Sequence, residues 1–262
     1  MIFIIAEAGI NWQGKTHVAM RMCDIAKESG ADCVKFQLFP PLDGLPDWSW
    51  EHHRKISEHC KDIGIEYAAS CFSMKAVDFA LTLGVRFIKI ASGEITNWKL
   101  IGHVAESGKP MVLSTGMSVM DDIFRATIRF AQAGGTQYSL LHCVSNYPTL
   151  PEHCNVKGIT TLAYNFMTRG VAHKPQAIGF SDHSLYDAPS IMAVGLGAKI
   201  IEKHFTLDNT MEGPDHAFSL EPKELKHFCR GIRVAEACLG NGDRNTLQPG
   251  EAEMQKKARG RW

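Results

Sequence analysis

The sequence predicts a closed (β/α)₈ barrel of the TIM type, and three observations predict it. Short β-rich runs alternate eight times with stretches of helical spacing, the pattern of parallel βαβ units. At 262 residues the chain matches the roughly 250 residues that one such barrel occupies. Closing eight parallel strands also leaves no exposed sheet edge. An open doubly wound sheet is the competing topology, but Gly9 after the first strand lacks the G-x-G-x-x-G spacing of a dinucleotide-binding turn.

The strand-like runs are Ile2–Ala8, Asp32–Leu38, Glu66–Phe72, Phe87–Ser92, Met111–Thr115, Tyr138–Val144, Gln176–Ser181 and Lys199–Thr206. Helical spacing fills His17–Glu28, Trp50–Ile63, Lys75–Leu83, Lys99–Glu106, Met120–Ala133, Val156–Thr168, Leu185–Leu196 and Lys223–Leu239. Gly30, Gly64, Gly84 and Gly108 follow helical runs, where a C-terminal cap needs the positive φ that glycine tolerates. Pro110 then bars continuation of its helix. Residues 1–240 read as one barrel domain. Residues 241–262 read as a loop rich in Asn, Gly and Pro, ending in a solvated basic tail of Lys256, Lys257, Arg259 and Arg261.

Composition narrows the function classes. Cationic and anionic side chains balance at 28 each, so there is no bulk field for nucleic acid or anionic membrane, and any anion site is local. No apolar run reaches the roughly 18 residues a bilayer span needs. The apolar start Met1–Ala6 is too short for a signal peptide. Eight cysteines occur without a C-x-x-C pair, and Cys33, Cys71 and Cys143 sit in apolar runs as small hydrophobes. A cytoplasmic protein with reduced thiols is expected.

Chemistry in such barrels gathers at the C-terminal ends of the strands. Those ends carry Glu7 and Asn11; Lys35 and Gln37; Lys89, Ser92 and Glu94; Ser114 and Thr115; Ser145, Asn146 and Tyr147; Ser181, Asp182 and His183; and Glu202, Lys203 and His204. Asp215 and His216 follow in a Gly-Pro loop. Strand alternation puts Lys35 and Gln37 on one face, with Val34 and Phe36 against the helices, and Lys89 inward between Ile88 and Ile90. Buried lysines cost several kcal/mol uncompensated, so two of them beside serines predict an anionic ligand, a salt bridge to Glu7 or Glu94 being the alternative. His183 and His204 end adjacent strands, placed to share one divalent ion with open positions for substrate, or to serve as hydrogen-bonded structural residues. His52 and His53 read as surface residues, His142 as a satisfied core group, and Met20 and Met22 as packing.

The same residues carry a pattern in register along nearly the whole chain. AEAGIN (6–11), VKFQ (34–37), IKIASGE (88–94), LSTGM (113–117), LHCVSNYP (141–148), GFSDH (179–183), IEKHFT (201–206) and GPDHAFSL (213–220) resemble the sialic acid synthase family. The resemblance implies a metal-assisted condensation of phosphoenolpyruvate with N-acetylmannosamine or a related modified sugar, releasing phosphate and forming a nonulosonic acid. It implies His183 and His204 as ligands of Mn²⁺ or Mg²⁺. It implies Lys35, Lys89, Ser92, Ser114 and Ser181 at phosphoenolpyruvate, with Ser145 where some members have Asn. Glu7, Gln37, Glu94, Tyr147 and Asp215 resemble the acceptor and proton-handling groups, Glu7, Glu94 and Asp215 being the catalytic candidates. A homodimer is expected on the same basis.

Three departures from the family pattern concern the acceptor. Trp12-Gln13-Gly14 stands where members have His-Asn-Gly or His-Asp-Gly. The connection from Phe39 to Trp50 is short, with Pro40, Pro41 and Pro46. The sequence reaches Trp262 near the junction where members continue into an antifreeze-like domain, which is exchanged between protomers and lends an arginine to the sugar site. The expectation is that phosphoenolpyruvate and metal bind well while the acceptor binds weakly, unless a separate cap protein completes the site. Trp12 and the Pro40–Trp50 connection are expected to cover the mouth with aromatic surface. The rival readings are a Schiff-base aldolase using Lys89 or Lys203, and a non-catalytic barrel that binds phosphoenolpyruvate or a sugar.

Overall fold

The computed structural model describes residues 1–40, 50–168 and 173–259. Eight parallel strands close in sequence order, β1 pairing with both β2 and β8. They are β1 (Phe3–Gly9), β2 (Cys33–Leu38), β3 (Glu66–Cys71), β4 (Ile88–Ile90), β5 (Met111–Ser114), β6 (Tyr138–Cys143), β7 (Ala177–Asp182) and β8 (Ile200–His204). The helices between and after them are α1 (Thr16–Ser29), α2 (Trp50–Ile63), α3 (Met74–Thr82), α4 (Trp98–Glu106), α5 (Met120–Gln132), α6 (Gly158–Ala163), α7 (Ala188–Gly195) and α8 (Pro222–Cys238). No helix among the described residues is long and apolar enough to cross a membrane.

The period of two along each strand divides the molecule radially. Ile4, Ala6, Val34, Phe36, Ile88, Ile90, Leu113, Leu140, Phe180 and Ile201 face outward and are buried in the large core under the helices. Ile5, Cys33, Ala68, Phe87, Val112, Leu141 and Ile200 form a separate inner cluster that plugs the barrel. Two residues further along these seven strands stand Glu7, Lys35, Ser70, Lys89, Ser114, Cys143 and Glu202, all buried. One alternation thus sets a polar layer directly upon an apolar plug. Removing these groups from bulk water strengthens every charge interaction among them.

Several details differ from the sequence reading. Helical spacing over Val156–Thr168 resolves into α6 followed by a π-helical turn at Tyr164–Thr168. Helix α7 starts at Ala188, later than Leu185, because Pro189 occupies the first turn and residues 184–186 are held in a buried polar contact described below. The tail carries a further helix, α9 (Glu251–Ala258), with Glu251 and Glu253 in its first turn and Lys256 and Lys257 in its last, the charge order a helix dipole favours. Arg261 lies outside the described residues. His53 is buried, hydrogen-bonded to the Tyr67 hydroxyl at 2.9 Å, where burial lowers its pKa to about 3. His52 is half-buried. His142 is satisfied by the Cys154 carbonyl at 3.0 Å, and Met22 packs in the core.

Trp12 does not cover the mouth. The turn after β1, with positive φ at Gln13 and Gly14, returns the indole into the core, where it is fully buried against Phe36 and His53. Trp50, at the end of the expected cover, opens α2, donates to the Phe39 carbonyl at 3.1 Å and stacks on Phe79 against the core, while residues 41–49, with Pro41 and Pro46, lie outside the described residues. All eight cysteines are free thiols, seven of them buried.

Candidate active site

The polar layer is organised around a carboxylate that the sequence reading placed at the end of the eighth strand but gave no role. Glu202, on β8, faces inward between both lysines: Lys35 Nζ lies 3.5 Å and Lys89 Nζ 3.9 Å from it, and Ser181 Oγ donates to it at 2.8 Å. Lys35 also pairs with Glu7 at 2.7 Å and donates to Ser70 Oγ at 2.9 Å. Lys89 donates to Ser114 Oγ at 2.6 Å and to the Ile90 carbonyl at 3.3 Å. The lysines are only 2% and 1% exposed. The signal for Glu202 was its spacing, two residues before His204 and hence on the same strand face.

The two carboxylates are pushed in opposite directions. Burial raises Glu7 to about 7, with the Glu202 charge adding to burial and Lys35 opposing it. Burial also acts upward on Glu202, but Lys35 and Lys89 outweigh it and hold the group down at about 2. Lys35 is raised because Glu202 and Glu7 overcome the effect of burial, whereas burial leaves Lys89 lowered. Lys35 and Lys89 thus face a firmly ionised Glu202 and a Glu7 that titrates near neutrality. Two buried ammonium groups beside hydroxyls make a local anion-binding site in a chain whose formal net charge is zero.

Hydroxyls and backbone line the same layer. Ser92 Oγ accepts from the Gly116 N–H at 3.0 Å and donates to Cys143 Sγ at 3.5 Å. A Cβ at Gly116 would stand 2.2 Å from Ser145 Oγ and 2.8 Å from Ser92 Oγ, so only glycine lets these groups approach. A cavity of about 550 Å³ opens beside them over β5 and β6, lined in part by Thr115, Cys143, Ser145 and Asn155. On the opposite side, Gly9 ends β1 with φ +53°, and the space its missing Cβ leaves is bounded by Asp215, Gln37 and Glu7. Gln37 Nε2 donates to Glu7 Oε1 at 3.1 Å. The loop carrying Asp215 is tied back to β1, Asn11 Nδ2 donating to the Phe205 carbonyl and to Ser219 Oγ.

His183 and His204 meet at the rim with ring centroids 5.5 Å apart. Tyr147 packs on His183 with the rings tilted by 36° and their centroids 4.2 Å apart, remains 53% exposed, and has its phenol raised by burial. His183 Nδ1 bonds the Val144 carbonyl at 2.8 Å, which leaves Nε2 available. His204 Nδ1 is buried without a hydrogen bond, 3.9 Å from Asp215 Oδ2. Burial, with the His183 and Lys35 charges, keeps His204 neutral, and burial raises Asp215. Among the described residues no three His, Cys, Asp or Glu side chains form a ready-made cage. The orphaned Nδ1 and the paired imidazoles fit an ion that takes its other ligands from water and substrate.

Two further residues named from the sequence have other polar partners than the Lys35–Glu202–Lys89 array. The Glu94 carboxylate, on the 3₁₀ turn Ser92–Glu94, accepts from Asn97 Nδ2 at 2.7 Å; among the described residues the lysines pair with Glu7 and Glu202 instead. Lys203 faces outward and pairs with Asp182 at 3.0 Å. It cannot serve as a nucleophile inside the barrel, which leaves Lys89 as the only lysine of the Schiff-base alternative with the required placement.

The chain is similar to characterised sugar-acid synthases along most of its length. N,N'-diacetyllegionaminic acid synthase of Legionella pneumophila is 36% identical, over 98% of this chain and 77% of that protein. Human N-acetylneuraminate-9-phosphate synthase is 35% identical over 94% and 73% respectively. The crystal structure of N-acetylneuraminic acid (sialic acid) synthetase from Leptospira borgpetersenii, in complex with citrate, superposes with a TM-score of 0.86 at 31% identity, over 98% of this chain and 90% of that one. Residues 44–244 match the NeuB family model, and with the inward Lys35, Lys89 and Glu202 beneath a histidine pair this places the chain in the NeuB family.

Proposed function

We propose that this chain condenses phosphoenolpyruvate with an N-acylated amino-sugar aldehyde, N-acetylmannosamine or a modified relative, to a nonulosonic acid with release of phosphate. The observation that carries the reading is the buried Lys35–Glu202–Lys89 array, open to the hydroxyls of Ser92, Ser114, Ser145 and Ser181. Phosphoenolpyruvate brings two anionic groups, and the array offers two ammonium groups against one fixed carboxylate. Held there, its enol carbon attacks the acceptor aldehyde carbon, whose oxygen takes up a proton and becomes a hydroxyl. Positive charge develops at the phosphate-bearing carbon and water adds to it with loss of one proton. The tetrahedral carbon then collapses to the ketone, its new hydroxyl losing the second proton as the bond to the phosphate oxygen breaks and phosphate leaves.

Glu7 is the carboxylate best suited to take the proton lost by the water. It sits in the layer itself, is oriented by Gln37, and titrates near neutrality, where proton transfer in both directions is efficient. Asp215 and Tyr147 flank the acceptor side. A divalent ion, Mn²⁺ or Mg²⁺, held by His183 and His204 polarises the acceptor aldehyde when bound.

Two results test these roles. Lys89→Met removes a charge and keeps the stem, so calorimetry is expected to show phosphoenolpyruvate binding weakened by about 1.5–3 kcal/mol, roughly ten- to a hundredfold. Unchanged affinity would remove the lysine from the site. A base that works deprotonated gives a kcat/KM that rises as pH passes about 7, and Glu7→Gln is expected to lower the rate and abolish that limb. A full pH limb in Glu7→Gln would assign it to another group. The Schiff-base reading has one observation in its favour, the lowered pKa of Lys89; it requires inactivation by borohydride in the presence of substrate, which the condensation does not.

A further inference from the structure

We infer that the buried pair Asp182–Lys203, on the outer face of β7 and β8, is the positioning device for His183 and His204 and so governs how tightly this chain holds a divalent ion. The inference rests on the metal reading above. Asp182 and Lys203 are Cα partners in the β7–β8 ladder, and each immediately precedes one of the two histidines. Glu202 and His204 face inward, so alternation turns Lys203 outward, under the helices and away from any substrate.

The contact is dry and fully satisfied. Lys203 Nζ lies 3.0 Å from Asp182 Oδ2, with the two side chains 1% and 0% exposed, and 5.8 Å above the Phe228 ring of α8. Asp182 accepts from the Ser184 N–H at 2.8 Å and from Ser190 Oγ, on α7, at 2.6 Å. Lys203 donates to the carbonyls of Ser184 at 2.6 Å and Tyr186 at 3.2 Å. The carboxylate therefore ties the end of β7 to α7, while the ammonium ties β8 to both ends of the segment that follows His183.

Stability alone does not account for such an arrangement. A buried ion pair is often no more stabilising than well-packed apolar side chains of the same volume. What it adds is direction: six polar contacts, among them Lys203 Nζ to Ser184 Oγ at 3.4 Å, fix the backbone on which both imidazoles stand. The imidazoles have few polar contacts of their own. His183 Nδ1 meets the Val144 carbonyl at 2.8 Å and Cys143 Sγ at 3.9 Å, and the buried Nδ1 of His204 has no hydrogen bond; the rings otherwise rest on Tyr147 and Phe218, which fix no nitrogen.

The test uses the full chain and the double variant Asp182→Asn/Lys203→Met, which removes both charges without stranding either. The control is Arg233→Met, which breaks the Arg233–Asp32 pair (2.6 Å) between α8 and the Asp32 segment before β2. Thermal unfolding, ¹⁵N shifts of the two imidazoles in metal-free protein, and Mn²⁺ titration followed by electron paramagnetic resonance are measured on each. In the double variant Mn²⁺ affinity is expected to fall about ten- to a hundredfold, as supporting contacts to metal ligands generally require, and the two imidazole signals to shift or broaden. Arg233→Met is expected to lower the melting temperature and leave both metal readouts unchanged. Wild-type imidazole shifts together with Mn²⁺ affinity within twofold of wild type in the double variant would overturn the inference. Absence of Mn²⁺ binding by the wild-type chain would instead refute the metal reading, and the imidazole shifts would still decide the positioning role.

Discussion

Replacing either His183 or His204 with alanine is expected to lower turnover by about a thousandfold or more while leaving the fold intact. The magnitude follows from losing several kcal/mol of charge stabilisation at the aldehyde oxygen, at about 1.36 kcal/mol per decade of rate. The fold should survive because each ring anchors little. His183 contributes a single backbone bond and His204 Nδ1 bonds nothing, so truncation strands no buried partner. Circular dichroism, metal analysis and steady-state turnover on both variants separate the effects. Full activity of the wild-type chain in excess chelator would end the metal reading whatever the variants do.

Glu202→Gln is expected to cost stability on a scale that surface changes do not reach. The carboxylate balances two buried lysines, and removing one member of a buried charge network typically costs about 3–5 kcal/mol. For a chain of this size that corresponds to a melting temperature lower by roughly 10 °C. The pH dependence has a definite sign. The Glu202 pKa falls from 4.5 unfolded to about 2 folded, so its contribution is complete above pH 4.5 and is lost as pH falls from 4.5 through 2. The variant should therefore lose less stability than wild type across that acid interval. An anion that neutralises the lysines should substitute in part, so inorganic phosphate is expected to raise the variant's melting temperature more than the wild type's. Equal stability of variant and wild type at neutral pH would show that the lysines do not depend on Glu202.

The path from sequence to site was most legible where a single period governs both. Alternation on β2 and β4 placed Lys35, Gln37 and Lys89 inside, and the structure finds the lysines between the plug and the mouth. The same period applied backward from His204 points to Glu202, but three consecutive polar residues, Glu202-Lys203-His204, conceal which of them face inward until one is fixed. His53 was read as a surface residue and is buried, although its helical spacing with Ile56, Ser57 and Cys60 marks the buried face of α2. The helix in the tail was signalled by acidic residues before basic ones. Trp12 was not legible from spacing. Its burial depends on a turn whose positive φ at Gln13 no local pattern announces, and on a pocket assembled from β2 and α2. Glu94 follows β4 by position, yet the 3₁₀ turn and Asn97 draw its carboxylate to a local bond.

The proposed reaction depends on one coupling, between an anion held by Lys35 and Lys89 and an aldehyde carbon brought to it. Phosphate release from phosphoenolpyruvate, measured with a panel of amino-sugar aldehydes and with or without Mn²⁺, tests it most directly. Release is expected only when aldehyde and metal are both present, with one nonulosonic acid formed per phosphate. Release independent of any aldehyde, or none from phosphoenolpyruvate with every aldehyde tested in a chain that binds both Mn²⁺ and phosphoenolpyruvate, would contradict it.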